Sequence, residues 1–170
     1  MAWDLACKNW AQRLAKGLPP IPDLPLDTEA ADLAVNVYNR LRLHDVVGTP
    51  TRGEAGGEWF RQAVVRPLFG SVDPETGKRF IREIFLLVPK KNDKTGGGAA
   101  VMMTALILNK RPRGEFLLVA PSHAVAELAL NACLGMIEEN DRAARAVDGK
   151  MGRLKQHVQG ATAPQKDHPH

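Results

Sequence analysis

Aromatic side chains are scarce in this chain, 5% of its residues, with a single tyrosine at Tyr38. That scarcity excludes a binding surface built mainly on base stacking. Cysteine is nearly absent too: Cys7 and Cys133 stand far apart, giving neither a disulfide framework nor a cysteine metal site. No apolar run is long. The longest, residues 99–108, has about half of the ~20 residues a membrane-crossing helix needs. The N-terminus is broken by Lys8 and Arg13 and has no secretory apolar core. Neither sign of charge dominates, with 23 Lys and Arg against 19 Asp and Glu and a net charge of +4. Hydrophobic content of 44% and charged content of 25% exclude wholesale disorder. A length of 170 residues allows one domain with some additional chain. These bounds lead us to expect a soluble, cytosolic domain of mixed class that does not enter a membrane.

Punctuation divides what remains. Residues 1–16 read as a short helix, followed by LPPIPDLPLD, whose four prolines fix φ and remove donors, so that it is extended. Thr28 and Glu29 open a second helix, with Leu33, Val37 and Leu41 on one apolar face beside Ala34 and Tyr38. Residues 48–57, with four glycines and one proline, read as a loop, and residues 58–69 as an amphipathic helix stopping at Gly70. The segment SVDPETGKR is a turn. From Arg82 the character changes. Residues 84–88 are five consecutive apolar residues closed by Pro89, the pattern of a strand buried on both faces. A polar loop and the helical run AAVMMTALILN follow, then EFLLVAPS and a helix over 124–139. Strand, loop, helix, strand, helix predicts a doubly wound α/β sheet of which only two core strands are visible. Two parallel strands cannot bury themselves, so part of the sheet is missing from this pattern. After Val158 periodicity is lost, and residues 159–170 read as a disordered tail.

The strongest candidate site is VPKKNDKT, residues 88–95. Lys94 and Thr95 match the end of the phosphate-binding pattern G-x-x-x-x-G-K-[ST], although Val88 and Asp93 stand where its glycines belong. Such a site needs backbone N–H groups at a helix N-terminus, an ammonium on the phosphate oxygens and a hydroxyl on Mg²⁺. Lys94 and Thr95 supply the last two. Gly96, Gly97 and Gly98 allow close approach at a cost of ~1 kcal/mol each against alanine, which is not a stabilising choice. The bland alternative is a solvated basic loop capped by Asn92 or Asp93. Residues 75–113 hold nine Lys and Arg and three acids, a net +6, as a polyanion site would. A solvated face accounts equally well for Lys110, Arg111 and Arg113.

The run SVDPETGKRFIREIFLLVPKKNDKT, continued by GGGAAVMMTALILN and EFLLVAPS, resembles the N-terminal half of large terminase subunits of tailed bacteriophages. The likeness extends upstream through LRLHDVVGTPTRGEAGGEWFRQAVVRPLFG and downstream to Val158, and the glycine-poor PKKN-x-KT is its most specific part. It implies an α/β fold, an incomplete P-loop (RecA-like) parallel sheet with helices on both faces, preceded by an N-terminal helical region. The domains would be 1–27, a helix and Pro-rich arm, 28–158, a partial ATPase domain, and 159–170, the tail. It implies ATP and Mg²⁺ as cofactors, Lys94 as the Walker A lysine and Thr95 as the hydroxyl linked to Mg²⁺. Lys90, Lys91, Asn92, Asp93 and Gly96 would complete the phosphate loop. Lys90 and Lys91 stand where the family often carries a basic residue acting on the γ-phosphate, but lysine cannot form the bidentate fork of arginine. Trp59 and Gln62 would contact adenine, with a core-anchor role for Trp59 as the alternative. Double-stranded DNA, a terminase small subunit and a portal protein are the implied partners, homo-oligomerisation is left open, and the implied compartment is the host bacterial cytoplasm.

Departures from the family pattern shape the functional expectation. Hydrolysis needs an acidic pair at the end of another apolar strand, and none exists here: Glu138 and Glu139 end a helical segment. The family's nuclease carboxylates are absent too. The expectation is an ATP-binding portion of a DNA-packaging motor, truncated and without autonomous hydrolysis. The alternatives are a non-enzymatic prophage remnant and a basic nucleic-acid-binding module. His44, His123, His157, His168 and His170 show no metal-ligand spacing beyond the H-x-H of the tail.

Overall fold

The computed structural model describes residues 7–18 and 20–139. Expectations for residues 1–6 and from 140 onward, including the boundary at 158, lie outside the described residues. The helices are α1 (Trp10–Ala15), α2 (Thr28–Arg40), α3 (Arg52–Ala55), α4 (Glu58–Phe60), α5 (Arg66–Gly70), α6 (Lys94–Leu108) and α7 (His123–Glu138), with a π-helical turn, Arg61–Val65, joining α4 to α5.

Each long helix starts or stops for a local reason. Gly17, at φ +68°, ends α1: Leu18 N–H donates to Arg13 O at 2.8 Å and Gly17 N–H to Leu14 O at 2.9 Å, a left-handed cap that glycine adopts without penalty. Asp27 caps α2 by accepting Ala30 N–H at 3.0 Å, and its own N–H donates to Gly70 O at 2.8 Å. That bond ties the start of α2 to the end of α5. A Cβ on Gly70 would stand 2.6 Å from the Ala31 Cβ, so the two helices approach too closely for any other residue there. This contact sets the face of α2. Ala31, Ala34, Tyr38 and the following Leu41 are buried, whereas Leu33, expected on the apolar face, is exposed.

α6 is apolar nearly all round and is accordingly the central helix. Ala99, Ala100, Met103 and Leu106 are buried, with Val101, Met102, Ala105 and Ile107 packed against the same core. Both α2 and α7 pack against it. Small residues permit the approach of α7: the Cys133 thiol donates to Ala99 O at 3.7 Å, and Thr104 Oγ1 turns back to Ala100 O at 2.8 Å. Each large buried side chain contributes roughly 1.5–3 kcal/mol of hydrophobic stabilisation. Tyr38 and Phe60 add a stacked pair, centroids 5.8 Å apart. The expected turn after α5 is present. Asp73 Oδ1 accepts the N–H groups of Glu75 and Thr76, and Val72 pairs with Arg79.

The expected parallel sheet does not form. Residues 81–89 and 114–120 form neither helix nor strand, and among the described residues there are no strands, only two isolated bridges, Arg42 with Thr51 and Val72 with Arg79. Each segment lays one face on the helical core, through Leu86 and Phe116. The opposite face is open, with Phe85 90% and Leu117 84% exposed. An apolar run favours extended backbone, but a strand also needs a neighbour to accept and donate its hydrogen bonds. Neither segment has one, so the layered α/β architecture, and with it the P-loop (RecA-like) sheet, is replaced by a helical core with two irregular segments on its surface.

Candidate functional site

Residues 48–57, expected as loop, contain the short helix that organises the site. Thr51 and Glu54 form a reciprocal cap: Thr51 Oγ1 accepts Glu54 N–H at 3.3 Å and Glu54 Oε2 accepts Thr51 N–H at 2.8 Å. The Thr51 N–H and the Thr51 hydroxyl, both donating to Glu54 Oε2 at 2.8 Å, hold the Glu54 carboxyl below its ordinary range. The next residue, Arg52, is therefore fixed at its backbone. Its N–H donates to Leu41 O at 2.8 Å, and its carbonyl accepts Arg61 Nη1 at 3.1 Å.

From there the Arg52 side chain runs inward, only 2% exposed. Its Cζ lies 5.5 Å from the centroid of the Tyr38 ring, and Nη1 donates to Tyr38 Oη at 3.3 Å and to Asp93 Oδ2 at 2.7 Å. Burial, opposed by Arg52, raises the Tyr38 pKa, so the phenol stays neutral. Arg52 Nε is buried and has no acceptor.

Asp93 immediately precedes α6. It and Lys91 take left-handed backbone, φ +49° and +67°, at a strain cost of order 1–3 kcal/mol each. These two reversals turn the chain into α6, whose first N–H groups have no intrahelical acceptor and receive no side-chain cap. The glycines that follow have distinct causes. A Cβ on Gly96 would overlap Asp93 Oδ1 and stand 2.9 Å from Arg52 Nη2, and one on Gly97 would press the Phe60 ring at 3.1 Å. Around Gly98 there is open space. Two of the three glycines thus make room for the protein's own side chains at the start of α6.

A cleft of about 420 Å³ opens at this helix N-terminus, within the ~300–1,000 Å³ of small-molecule sites. Arg52, Lys91 and Lys94 bring three cations to it, Asp45 and Asp93 two carboxylates, and Thr95 a hydroxyl. Leu43, Leu128 and Met136 form apolar wall, with His44 and Asn131 as further polar groups. His44 packs against Gly135 of α7, where a Cβ would overlap its ring. Lys94 Nζ is turned back to Val88 O at 3.2 Å.

Of the residues singled out from sequence, Lys91, Asp93, Lys94, Thr95 and Gly96 come together at the cleft. Lys90 and Asn92 do not line it; Asn92 Nδ2 donates to Pro89 O at 3.3 Å and shapes the loop. Trp59 and Gln62 lie outside it as well. Trp59 is half-exposed, edge-on to Phe60 at 5.3 Å and folded over Gly57. Sequence reading missed Arg52 and His44. The Thr51-x-x-Glu54 capping pattern marks the short helix that carries Arg52, but no local pattern pairs its side chain with Asp93.

Among the described residues no group of three or more His, Cys, Asp or Glu could hold a metal ion by itself. A divalent cation here would depend on the Thr95 hydroxyl and a neighbouring carboxylate, with a ligand's own oxygens completing the set. No described helix is long and apolar enough to cross a membrane. No protein family matches the chain, and neither does any curated protein or solved structure.

Proposed function

We propose that the cleft binds the phosphate groups of a nucleoside triphosphate, ATP with Mg²⁺. In this reading the chain is the ATP-binding portion of a phage terminase large subunit. Its setting is the bacterial cytoplasm, and its wider partners are double-stranded DNA, a small subunit and a portal protein. The motor assignment rests on the sequence resemblance alone. One observation carries the phosphate assignment: Arg52, Lys91 and Lys94 line the cleft at the uncapped N-terminus of α6, where backbone N–H groups and the helix dipole favour an anion. Thr95 and a carboxylate suit Mg²⁺, and Leu128 and Met136 suit the apolar faces of a base. Bound Mg²⁺ supplies neutralisation of phosphate charge. The activity proposed for these 170 residues is binding, because hydrolysis needs an acidic pair that they do not supply.

The test is thermal unfolding with and without Mg-ATP. At about 100 times Kd, binding to the folded state alone adds about 2.7 kcal/mol, a rise of roughly 5–10 °C for a chain of this size. Lys94→Ala is expected to abolish the rise. An unchanged melting temperature in the unmodified chain would defeat the reading.

A second reading, a module that binds DNA phosphates, is favoured by a separate observation. Arg79, stacked on Phe69 with Cζ 5.0 Å from the ring centroid, has its pKa lowered by burial and by nearby Arg111. Two cations that feel each other's charge suit a polyanion. Under this reading DNA affinity falls steeply with salt, and ATP leaves the melting temperature unchanged.

A further inference from the structure

We infer that Arg52 is a phosphate-contacting residue and that the Asp93 carboxylate occupies its place until a ligand phosphate competes for it. This rests on the phosphate reading of the cleft and adds the group that sets its affinity.

The Arg52 guanidinium is buried to 98% yet incompletely used. Nη1 serves both Tyr38 Oη and Asp93 Oδ2, while Nε has no acceptor. A buried arginine is ordinarily satisfied through its whole fork, and the planar fork matches two oxygens of one phosphate or carboxylate. Asp93 reaches it through one oxygen only. The other, Oδ1, lies over the Gly96 Cα at the first turn of α6, where a Cβ would overlap it. The carboxylate therefore stands against the uncapped N–H groups that an anion would seek.

The two partners are unequal in freedom. Arg52 is locked by the α3 cap, the Leu41 carbonyl and the Tyr38 ring, whereas the Asp93 side chain is 55% exposed and can leave. A phosphate entering at Gly96 meets a like charge in Asp93 and a half-used cation in Arg52. Exchange of partners removes the first and completes the second. The ligand class this favours is a multiply charged phosphate, which outcompetes a single carboxylate where a monoanion such as acetate does not.

The probes are inorganic pyrophosphate and acetate, titrated calorimetrically into the full chain. Asp93→Asn is expected to bind pyrophosphate about tenfold more tightly, equivalent to about 1.4 kcal/mol. Arg52→Lys, which keeps the charge without the fork, is expected to bind about tenfold more weakly. Acetate is expected to bind neither the unmodified chain nor Asp93→Asn. In the unmodified chain the Arg52 Nε–H resonance, assigned by through-bond correlation along the Arg52 side chain, is expected to shift on saturation with pyrophosphate. This measurement does not depend on any variant folding well. Pyrophosphate binding that Lys94→Ala abolishes, with Asp93→Asn no tighter or an unmoved Nε–H resonance, would overturn this inference and leave the phosphate site standing. No binding of pyrophosphate or Mg-ATP to either the unmodified chain or Asp93→Asn would remove both.

Discussion

An apolar segment, a loop and a long helix follow one another twice, over residues 84–108 and again over 116–138, and the two copies end in chemically different places. In the first, the helix begins behind two left-handed residues, Lys91 and Asp93, and is met by the buried Arg52 from a distant part of the chain. In the second, Ser122 precedes α7 in ordinary extended backbone and makes no cap bond, and His123 has only a surface contact of 3.8 Å with Glu127. Both helix starts carry the same dipole, and neither has a side-chain cap on its first N–H groups. A helix N-terminus is thus a common feature. The candidate site arises where the loop geometry and a long-range cation coincide upon one.

The same comparison separates what the core stabilises from what it merely carries. The largest expected contrast is between Met103 of α6, which is fully buried, and Leu117, which is exposed. Met103→Ala is expected to cost about 2–5 kcal/mol and Leu117→Ala less than about 0.5 kcal/mol, measured by denaturant unfolding. Equal costs would mean that the second apolar segment is packed after all.

A pH effect comes next and reports the contact of α6 with α7. Burial raises the Cys133 thiol from its ordinary value of 9.0 to about 11. The folded state then holds its proton more tightly than the unfolded chain. This contribution is fully present below pH 9, declines as pH rises and is gone above about pH 11. Two pH units correspond to at most about 2.7 kcal/mol. Unfolding free energies between pH 8 and 11 are expected to fall by up to that amount in the unmodified chain and to lack that component in Cys133→Ala.

The smallest contrast compares helix caps. Asp27 accepts a backbone N–H, and Asp27→Ala is expected to cost about 1 kcal/mol. Ser122 accepts none, and Ser122→Ala is expected to stay within about 0.5 kcal/mol. A larger loss at Ser122 in thermal melts would show that the start of α7 is capped like that of α2.

Local signals were legible in the sequence where a segment's own residues decide its structure. The helices α2, α6 and α7 could be read from apolar periodicity and helix-start residues, and the turn at Asp73 from Asp-Pro and Gly77. Segments 84–88 and 116–120 read as buried strands because apolar β-formers flanked by breakers favour that backbone, and the structure forms no strand at either. Their assembly into a sheet was not legible, because pairing depends on neighbours that no local pattern specifies. Leu33 misled for a related reason: the close approach of Gly70 to Ala31 turns a small-residue face of α2 inward. At the site, the loop with Lys91, Lys94 and Thr95 was visible as a cluster of phosphate-seeking chemistry. Arg52 was not, because it lies 41 residues from Asp93 and composition alone carries no trace of that pairing.

The most direct test of the phosphate site is a backbone amide NMR titration of the full chain with Mg-ATP. The N–H resonances of Thr95, Gly96 and Gly97 are expected to move at saturation while those of His123, Ala124 and Val125 stay in place. Equal movement at both helix starts, or movement at the start of α7 alone, would contradict the assignment of the site to α6.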